Sequence, residues 1–272
     1  MFSPLEIIET AIHEYKPYKV FALFSGGNDS ICATHLAAQA SQFDGAVFVD
    51  TGIKVQQTLD HARAVAARFG WPFRVVETPM SYDEFVLKNG FPGPAMHKRM
   101  YIILKERALD KLIRETKTER MQNILLITGV RRYESRRRMV SVKSPIVKDG
   151  SKIWTAPMWE WTDEIKAAYM EKHDLPENPV KKIMHVSGDC LCGAFNDKGD
   201  LALLQMFYPA EAQHILDLQE KVMQTHPWKW DEQAPEWFLQ YSNGQQFLGD
   251  AFMPMCWNCE KANEASVGEG QP

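Results

Sequence analysis

Apolar positions in the chain fall into short unbroken runs, separated by stretches in which they recur every three or four residues. Leu5, Ile8, Ala11 and Ile12 share one face of a helix over residues 1–17. Val20-Phe21-Ala22-Leu23-Phe24 then forms an uninterrupted run that stops at Ser25-Gly26-Gly27. A run of that length bounded by glycine reads as a strand buried on both faces. The alternation continues with a helix over Ile31–Ala40, a strand over Gly45–Asp50, a helix over Gln56–Phe69 and a strand over Phe73–Glu77. A long helix over Lys98–Glu115, a strand over Ile124–Gly129, a fifth strand over Ile153–Pro157 and a helix over Asp163–His173 follow.

Strands that alternate with helices imply right-handed βαβ crossovers. The expected fold is therefore α/β: a Rossmann-like, open, twisted, mostly parallel five-stranded sheet with helices on both faces. From about Pro176 the pattern changes. Gly, Asp, Trp, Pro and Cys accumulate, and regular alternation ends apart from a helix over Glu211–Gln224. The expected organisation is an α/β domain over 1–175, an irregular and helical cysteine-bearing extension over 176–264, and a tail over 265–272. That tail has no apolar anchor and is expected to be disordered.

Composition narrows the function. Of 272 residues, 45% are apolar and 24% charged, ordinary globular values that exclude wholesale disorder. Lys+Arg 31 against Asp+Glu 35 gives a net charge of -4, which excludes a strongly basic nucleic-acid coat but leaves room for a local basic patch. No apolar run approaches the roughly 20 residues that span a bilayer. The first ten residues are acidic and lack the basic-then-apolar layout of a secretion signal, so a cytoplasmic protein is expected. Four of the five cysteines form two close pairs, Cys190/Cys192 and Cys256/Cys259, a spacing that in a reducing compartment more often holds metal than forms a disulfide.

Ser25-Gly26-Gly27-Asn28-Asp29-Ser30 lies between the first strand and its helix. In open α/β sheets ligands bind beyond the carboxyl ends of strands, and two glycines let the backbone approach an anion closely. Ser25 and Ser30 add hydroxyl donors, which predicts a phosphate or pyrophosphate site. The loop is neither Gly-x-Gly-x-x-Gly nor a Walker loop, whose lysine is missing. The plainer alternative is a Ser/Gly turn that caps a helix through Asn28 and Asp29.

This loop looks like the Ser-Gly-Gly-x-Asp-Ser pyrophosphate loop of the adenine-nucleotide α-hydrolase superfamily. Three further segments resemble its phosphoadenosine-phosphosulfate reductase branch. They are Phe48-Val49-Asp50-Thr51-Gly52, the run Thr128-Gly129-Val130-Arg131-Arg132-Tyr133-Glu134-Ser135-Arg136, and Pro157 to Trp161 followed by Thr162-Asp163-Glu164-Ile165 and Leu175-Pro176. The likeness covers roughly residues 18–195, and four motifs in order make it specific.

The resemblance implies that Gly26, Gly27, Asn28 and Ser30 grip the terminal phosphates of ATP, with Mg²⁺ sharing their charge. Asp29 orients the loop or holds a metal-bound water, and Asp50, Thr51 and Gly52 face the adenosine. Gly129, Arg131, Arg132 and Arg136 approach the phosphates, and Lys105 falls near a lysine that the reductases carry. Asp29, Ser30, Arg131 and Arg132 are the catalytic candidates. Arginine suits bidentate contacts with phosphate or sulfate. Arg137 and Arg138 are solvent or partner contacts, and Glu134 pairs with one of the arginines.

Cys190, Cys192, Cys256 and Cys259 supply four thiolates, which suit a [4Fe–4S] cluster or a tetrahedral Zn²⁺. Relatives carry clusters at a comparable position, so iron–sulfur is the first expectation and zinc the alternative. Cys32 occupies an apolar helix position and reads as a core residue. Two departures from the reductase pattern stand out. No thiol in a Glu-Cys-Gly setting follows Cys259, and His97-Lys98-Arg99-Met100-Tyr101 stands where cluster-bearing reductases carry adjacent cysteines. The combination resembles the ATP pyrophosphatase of DNA phosphorothioation systems and sulfur-inserting tRNA enzymes.

The expected activity is therefore adenylation of an acceptor with release of pyrophosphate, in a sulfur-transfer or nucleic-acid sulfur-modification pathway. A cysteine desulfurase or another sulfur donor is the expected protein partner. Sulfonucleotide reduction, with Cys32 as an atypical thiol, is the runner-up, and a non-catalytic nucleotide or redox sensor is the third reading. DNA or tRNA contact has only the arginines and the tryptophans behind it. Trp154, Trp159, Trp161, Trp228, Trp230, Trp237 and Trp257 are base-stacking candidates, more simply read as packing aromatics.

Overall fold

The computed structural model describes residues 3–132, 144–196 and 199–232. Its elements are α1 (Pro4–Tyr15), β1 (Lys19–Leu23), α2 (Asn28–Ala37), β2 (Gly45–Asp50), α3 (Gln56–Phe69), β3 (Phe73–Glu77) and α4 (Tyr82–Asn89). A 3-10 turn (Pro94–Met96), α5 (His97–Tyr101), a π turn (Ile102–Glu106) and α6 (Arg107–Thr116) follow. Then come β4 (Ile124–Ile127), β5 (Ile146–Asp149), β6 (Lys152–Thr155), α7 (Asp163–Lys172), α8 (Pro179–Met184), α9 (Asp200–Phe207) and α10 (Pro209–Val222).

The six strands run in the order β3-β2-β1-β4-β6-β5. All neighbours are parallel except β5, which pairs antiparallel with β6. The alternation of side chains along a strand sends Val20, Ala22 and Phe24 to one face and Phe21 and Leu23 to the other. The first face is covered by residues of α1, α2, α3 and α7, and the second by Ala108, Leu109, Leu112 and Ile113 of α6. With both faces covered, the central strands need apolar residues at every position, which explains their unbroken runs.

β5 is an addition to the five strands expected from the sequence. It turns into β6 through Gly150 and Ser151, with Asp149 paired to Lys152 and Gly150 at φ 58. Gly-Ser as the two residues of a tight turn is a hairpin signal, with glycine supplying the positive φ. β5 itself is half-buried or exposed on an edge, so it has no apolar run to betray it.

Beyond Pro176 the chain is more helical than expected, with α8 and α9 joining α10. A third apolar cluster unites this segment with the region after β2. Val180, Leu191, Ile215, Leu218, Trp228 and Trp230 pack with Ile53, Val55, Tyr82, Phe85, Phe91 and Leu104. Trp228 Nε1 donates to Phe91 O (2.9 Å) and Trp230 Nε1 to Leu191 O (2.9 Å), so both indoles are buried with their polar atoms satisfied. Trp154, Trp159 and Trp161 are also buried, so all five described tryptophans named above are packing residues.

His35 on α2 bonds the Tyr169 hydroxyl through Nδ1 (2.7 Å) and packs its ring 4.8 Å from that of His173. Burial, reinforced by the His173 charge, holds His35 below the ordinary histidine value, and burial does the same for His61 and His226. Below the ordinary value of 6.5 the unfolded chain binds protons that these folded imidazoles refuse, so stability falls with pH until the folded values are passed. Urea unfolding at pH 5.5 is expected to give a lower free energy than at pH 7.5. His35→Gln should shrink that difference; an unchanged difference would remove His35 as a cause.

Candidate functional site

Strand order reverses at β1, which pairs β2 on one side and β4 on the other. Ligand crevices of open α/β sheets lie at such a point, outside the carboxyl ends of the strands. Two segments emerge there: the turn between β1 and α2, and residues 128–132 after β4.

In the first, Gly26 adopts φ +78, and a Cβ there would sit 3.1 Å from the Thr58 carbonyl and methyl of α3. Glycine is needed both for the backbone conformation and for the close approach. Gly27 is the residue before α2, and no side chain caps the helix there. The Ser30 hydroxyl donates to Gly27 O (2.8 Å) and accepts from the Ser25 hydroxyl (3.2 Å), so both serines brace the turn from inside. Asn28 Oδ1 accepts from Asn178 N (3.4 Å), which ties the turn to the start of α8.

Asp29 does not point outward. Its carboxylate takes Arg131 Nε at 2.7 Å and lies 3.4 Å from Lys166 Nζ. Arg131, only 2% exposed, also donates to Asp163 (3.0 Å) and to Trp161 O (3.4 Å). The strand behind this contact is equally close: a Cβ on Gly129 would meet the Asp29 carbonyl at 2.7 Å. Arg132 behaves differently. Its amide donates to Trp159 O, and its half-exposed side chain reaches Glu160 at 3.2 Å.

On the other side, Asp50 ends β2 and accepts from Gly52 N (2.9 Å) and Lys54 Nζ (2.9 Å). Thr51 is fully buried and donates to Ile53 O and Asp189 O, while Gly52, at φ +75, faces open space. Lys105 sits in the π turn, buried, with Nζ 2.7 Å from Asp189.

The segment that joins these parts is Ser187–Cys192. Thr58 Oγ1 and Asn178 Nδ2 both donate to Ser187 O, Val55 N donates to Gly188 O, and Leu191 N donates to Ile53 O. Ser187 also donates through its hydroxyl to Asp189. A Cβ on Gly27 would lie 3.4 Å from Ser187 Cβ, so the glycine turn and the cysteine segment touch. Cys190 is half-buried and Cys192 buried. A hydrogen bond from Cys192 holds the Cys190 thiol below its ordinary range, and the Lys105 ammonium adds to the effect. Cys32, in contrast, is sealed in the core, and burial pushes its thiol up to about 12, which denies it a thiolate role.

Contacts through Thr58, Ser187 and Asp189 and the Asp29–Arg131 pair thus link the segments that carry Ser25, Gly26, Gly27, Asn28, Asp29, Ser30, Asp50, Thr51, Gly52, Lys105, Gly129 and Arg131, with Arg132 at the flank. Arg136, Cys256 and Cys259 lie outside the described residues, as do Glu134, Arg137, Arg138, Trp237 and Trp257. Of the four cysteines expected to hold a metal only Cys190 and Cys192 are described, and among the described residues no group of three or more His, Cys, Asp or Glu could hold a metal ion. Lys54, Lys166, Ser187 and Asp189 also join these contacts and were given no role from the sequence, whereas Asp163 stands in the family-like segment Thr162–Ile165. Besides the motif that holds Asp163, Ser187-Gly188-Asp189 left a signal, a turn-forming run directly before the cysteines. No helix among the described residues is long and apolar enough to cross a membrane.

Residues 19–187 match the phosphoadenosine phosphosulfate reductase domain family. An adenosine 5'-phosphosulfate reductase of Mesorhizobium japonicum is 29% identical over 69% of this chain and 71% of its own length. One from a Chelativorans species is 27% identical over 68% and 72%. Among solved structures, a phosphoadenylyl-sulfate reductase from Candida auris, in a phosphate complex, superposes with a TM-score of 0.50 at 18% identity, covering 66% of this chain and 84% of that one. The low identity makes the last a likeness of fold. With well over half of its length matched, the chain belongs to the phosphoadenosine phosphosulfate reductase domain family.

Proposed function

We propose that the chain binds an adenine nucleotide with its phosphate-side group against the 25–30 turn and reduces the sulfate of adenosine 5'-phosphosulfate to sulfite, leaving AMP, with the two electrons drawn from an external dithiol that becomes a disulfide. The observation that carries this reading is the contact of the glycine turn, at the uncapped start of α2, with Ser187, three residues ahead of the Cys190/Cys192 pair. Both the family and the two adenosine 5'-phosphosulfate reductases to which the chain is similar support that substrate class.

The second reading is an ATP pyrophosphatase that uses Mg²⁺ to adenylate an acceptor in a sulfur-transfer or nucleic-acid sulfur-modification pathway such as DNA phosphorothioation, fed by a cysteine desulfurase or another sulfur donor. What favours it is the state of the thiols. Cys32 is sealed, and the remaining described thiols form a pair suited to half of a [4Fe–4S] or zinc site completed by Cys256 and Cys259. If they hold a metal, none of these four is free to attack sulfate.

The readings separate on products. Anaerobically purified protein is expected to yield sulfite and AMP from adenosine 5'-phosphosulfate with thioredoxin or a small dithiol. Pyrophosphate and AMP from ATP, Mg²⁺ and a nucleic-acid acceptor, with no sulfite, would replace the first reading by the second. Metal analysis of the same sample reports on the cysteines: about four irons with visible absorbance support the cluster, whereas one zinc supports a structural site.

A further inference from the structure

Lys166 lies on the first turns of α7 and is almost completely buried, a costly place for an ammonium without partners. Its Nζ lies 2.9 Å from Asp163 and 3.4 Å from Asp29. Arg131 bonds the same oxygen of each carboxylate, Asp29 Oδ1 at 2.7 Å and Asp163 Oδ1 at 3.0 Å. Two cations therefore share two carboxylates, and the four formal charges cancel. Arg131 ties Asp29 to the end of β4 and, through Asp163, to α7, and Lys166 adds a second tie to α7 on the same carboxylate oxygens. Asp29 is the second residue of α2, where a loosened carboxylate can turn back and accept from the amides of its own helix start.

We propose that Lys166 is a positioning residue for the nucleotide's phosphate-side group. By sharing Asp29 with Arg131, it keeps that carboxylate directed into the protein and its charge matched, so the amides of the 25–30 turn face an incoming anion instead of Asp29. The proposal rests on the reading that this turn receives a nucleotide phosphate. Without Lys166, the cluster gains one net negative charge where an anion has to land.

The test is calorimetric titration of the full chain with AMP and with ATP, for the wild type, Lys166→Met, Lys166→Arg and the double variant Lys166→Met/Asp163→Asn. Lys166→Met should weaken binding roughly tenfold, the scale of one unbalanced charge beside a partly buried helix start. In a turnover assay KM should rise while kcat holds. Lys166→Arg should restore most of the affinity. So should the double variant, which removes a further contact yet rebalances the charge, a recovery that no purely structural role predicts. If the wild type binds and Lys166→Met binds equally well, or if neither companion variant recovers affinity, the proposal fails while the nucleotide reading stands. If the wild type binds neither nucleotide, the nucleotide reading fails and takes the proposal with it.

Discussion

Replacement of Arg131 by methionine is expected to lower the free energy of unfolding by about 3–5 kcal/mol, the scale for breaking a buried ion pair from one side. The guanidinium makes three contacts in almost no solvent: it joins Asp29 at the start of α2 to Asp163 at the start of α7, and it bonds the Trp161 carbonyl. Methionine fills a similar volume but leaves Asp29 to Lys166 alone. Lysine is a poor substitute because one ammonium cannot reproduce the fork that reaches two carboxylates and a carbonyl. Nucleotide binding should be lost as well, since the turn would have lost its tie to the strand behind it. Urea denaturation checks the first effect. In a double-mutant cycle, Asp29→Asn should recover part of the loss by removing the stranded charge. A loss below about 1 kcal/mol would show that solvent or a neighbour replaces the contact.

Neighbouring arginines in one run need not share a role. From the sequence, Arg131 and Arg132 look alike, two adjacent cations after a buried strand and both candidates for phosphate. The structure separates them: Arg131 turns inward to Asp29 and Asp163, while Arg132 lies half-exposed against Glu160. Adjacent positions after a strand point to opposite sides, and sequence does not say which side holds carboxylates. Lys166 was illegible for a related reason, since a lysine one turn into an ordinary helix gives no hint that its head is buried. The strands were legible because a sheet covered on both faces forces apolar residues into every central position, as in Val20–Phe24 and Ile124–Ile127. β5 escaped because an edge strand faces no such demand. The glycine turn was legible because Gly26 needs both a left-handed backbone and room against α3.

The described charges of the crevice also constrain the chemistry. Lys54, Lys105, Arg131 and Lys166 are matched by Asp50, Asp189, Asp29 and Asp163. No cation among these four is left over for a phosphate or sulfate. Among the described residues, attraction for an anion would come from oriented amides of the turn, from Arg132 at the flank, or from displacement of a carboxylate such as Asp189 from Lys105. The last possibility links substrate to thiols directly, because Asp189 immediately precedes Cys190 and shares Lys105's field with it.

Gly129→Ala should separate binding from folding more sharply than any change of charge. The glycine is not in the left-handed region, so alanine brings no backbone strain of its own, only volume. That volume has nowhere to go. The new Cβ would lie 2.7 Å from the carbonyl carbon and oxygen of Asp29 and 2.9 Å from the amide nitrogen of Ser30, all backbone atoms with no rotamer to relieve the clash. The end of β4 and the first turn of α2 must move apart, and both carry candidate ligand contacts. Overpacking of this kind costs about 1–3 kcal/mol of stability, which leaves a folded protein. A displacement near 1 Å in a positioned site can lower activity about a hundredfold. The expected outcome is a soluble variant with a modestly lower melting temperature and nucleotide affinity reduced about a hundredfold. Gly93→Ala is the control, since a Cβ there meets nothing within 4 Å and should leave both quantities unchanged. If Gly129→Ala bound nucleotide as the wild type does, the crevice between β1 and β4 would not be where the phosphates lie.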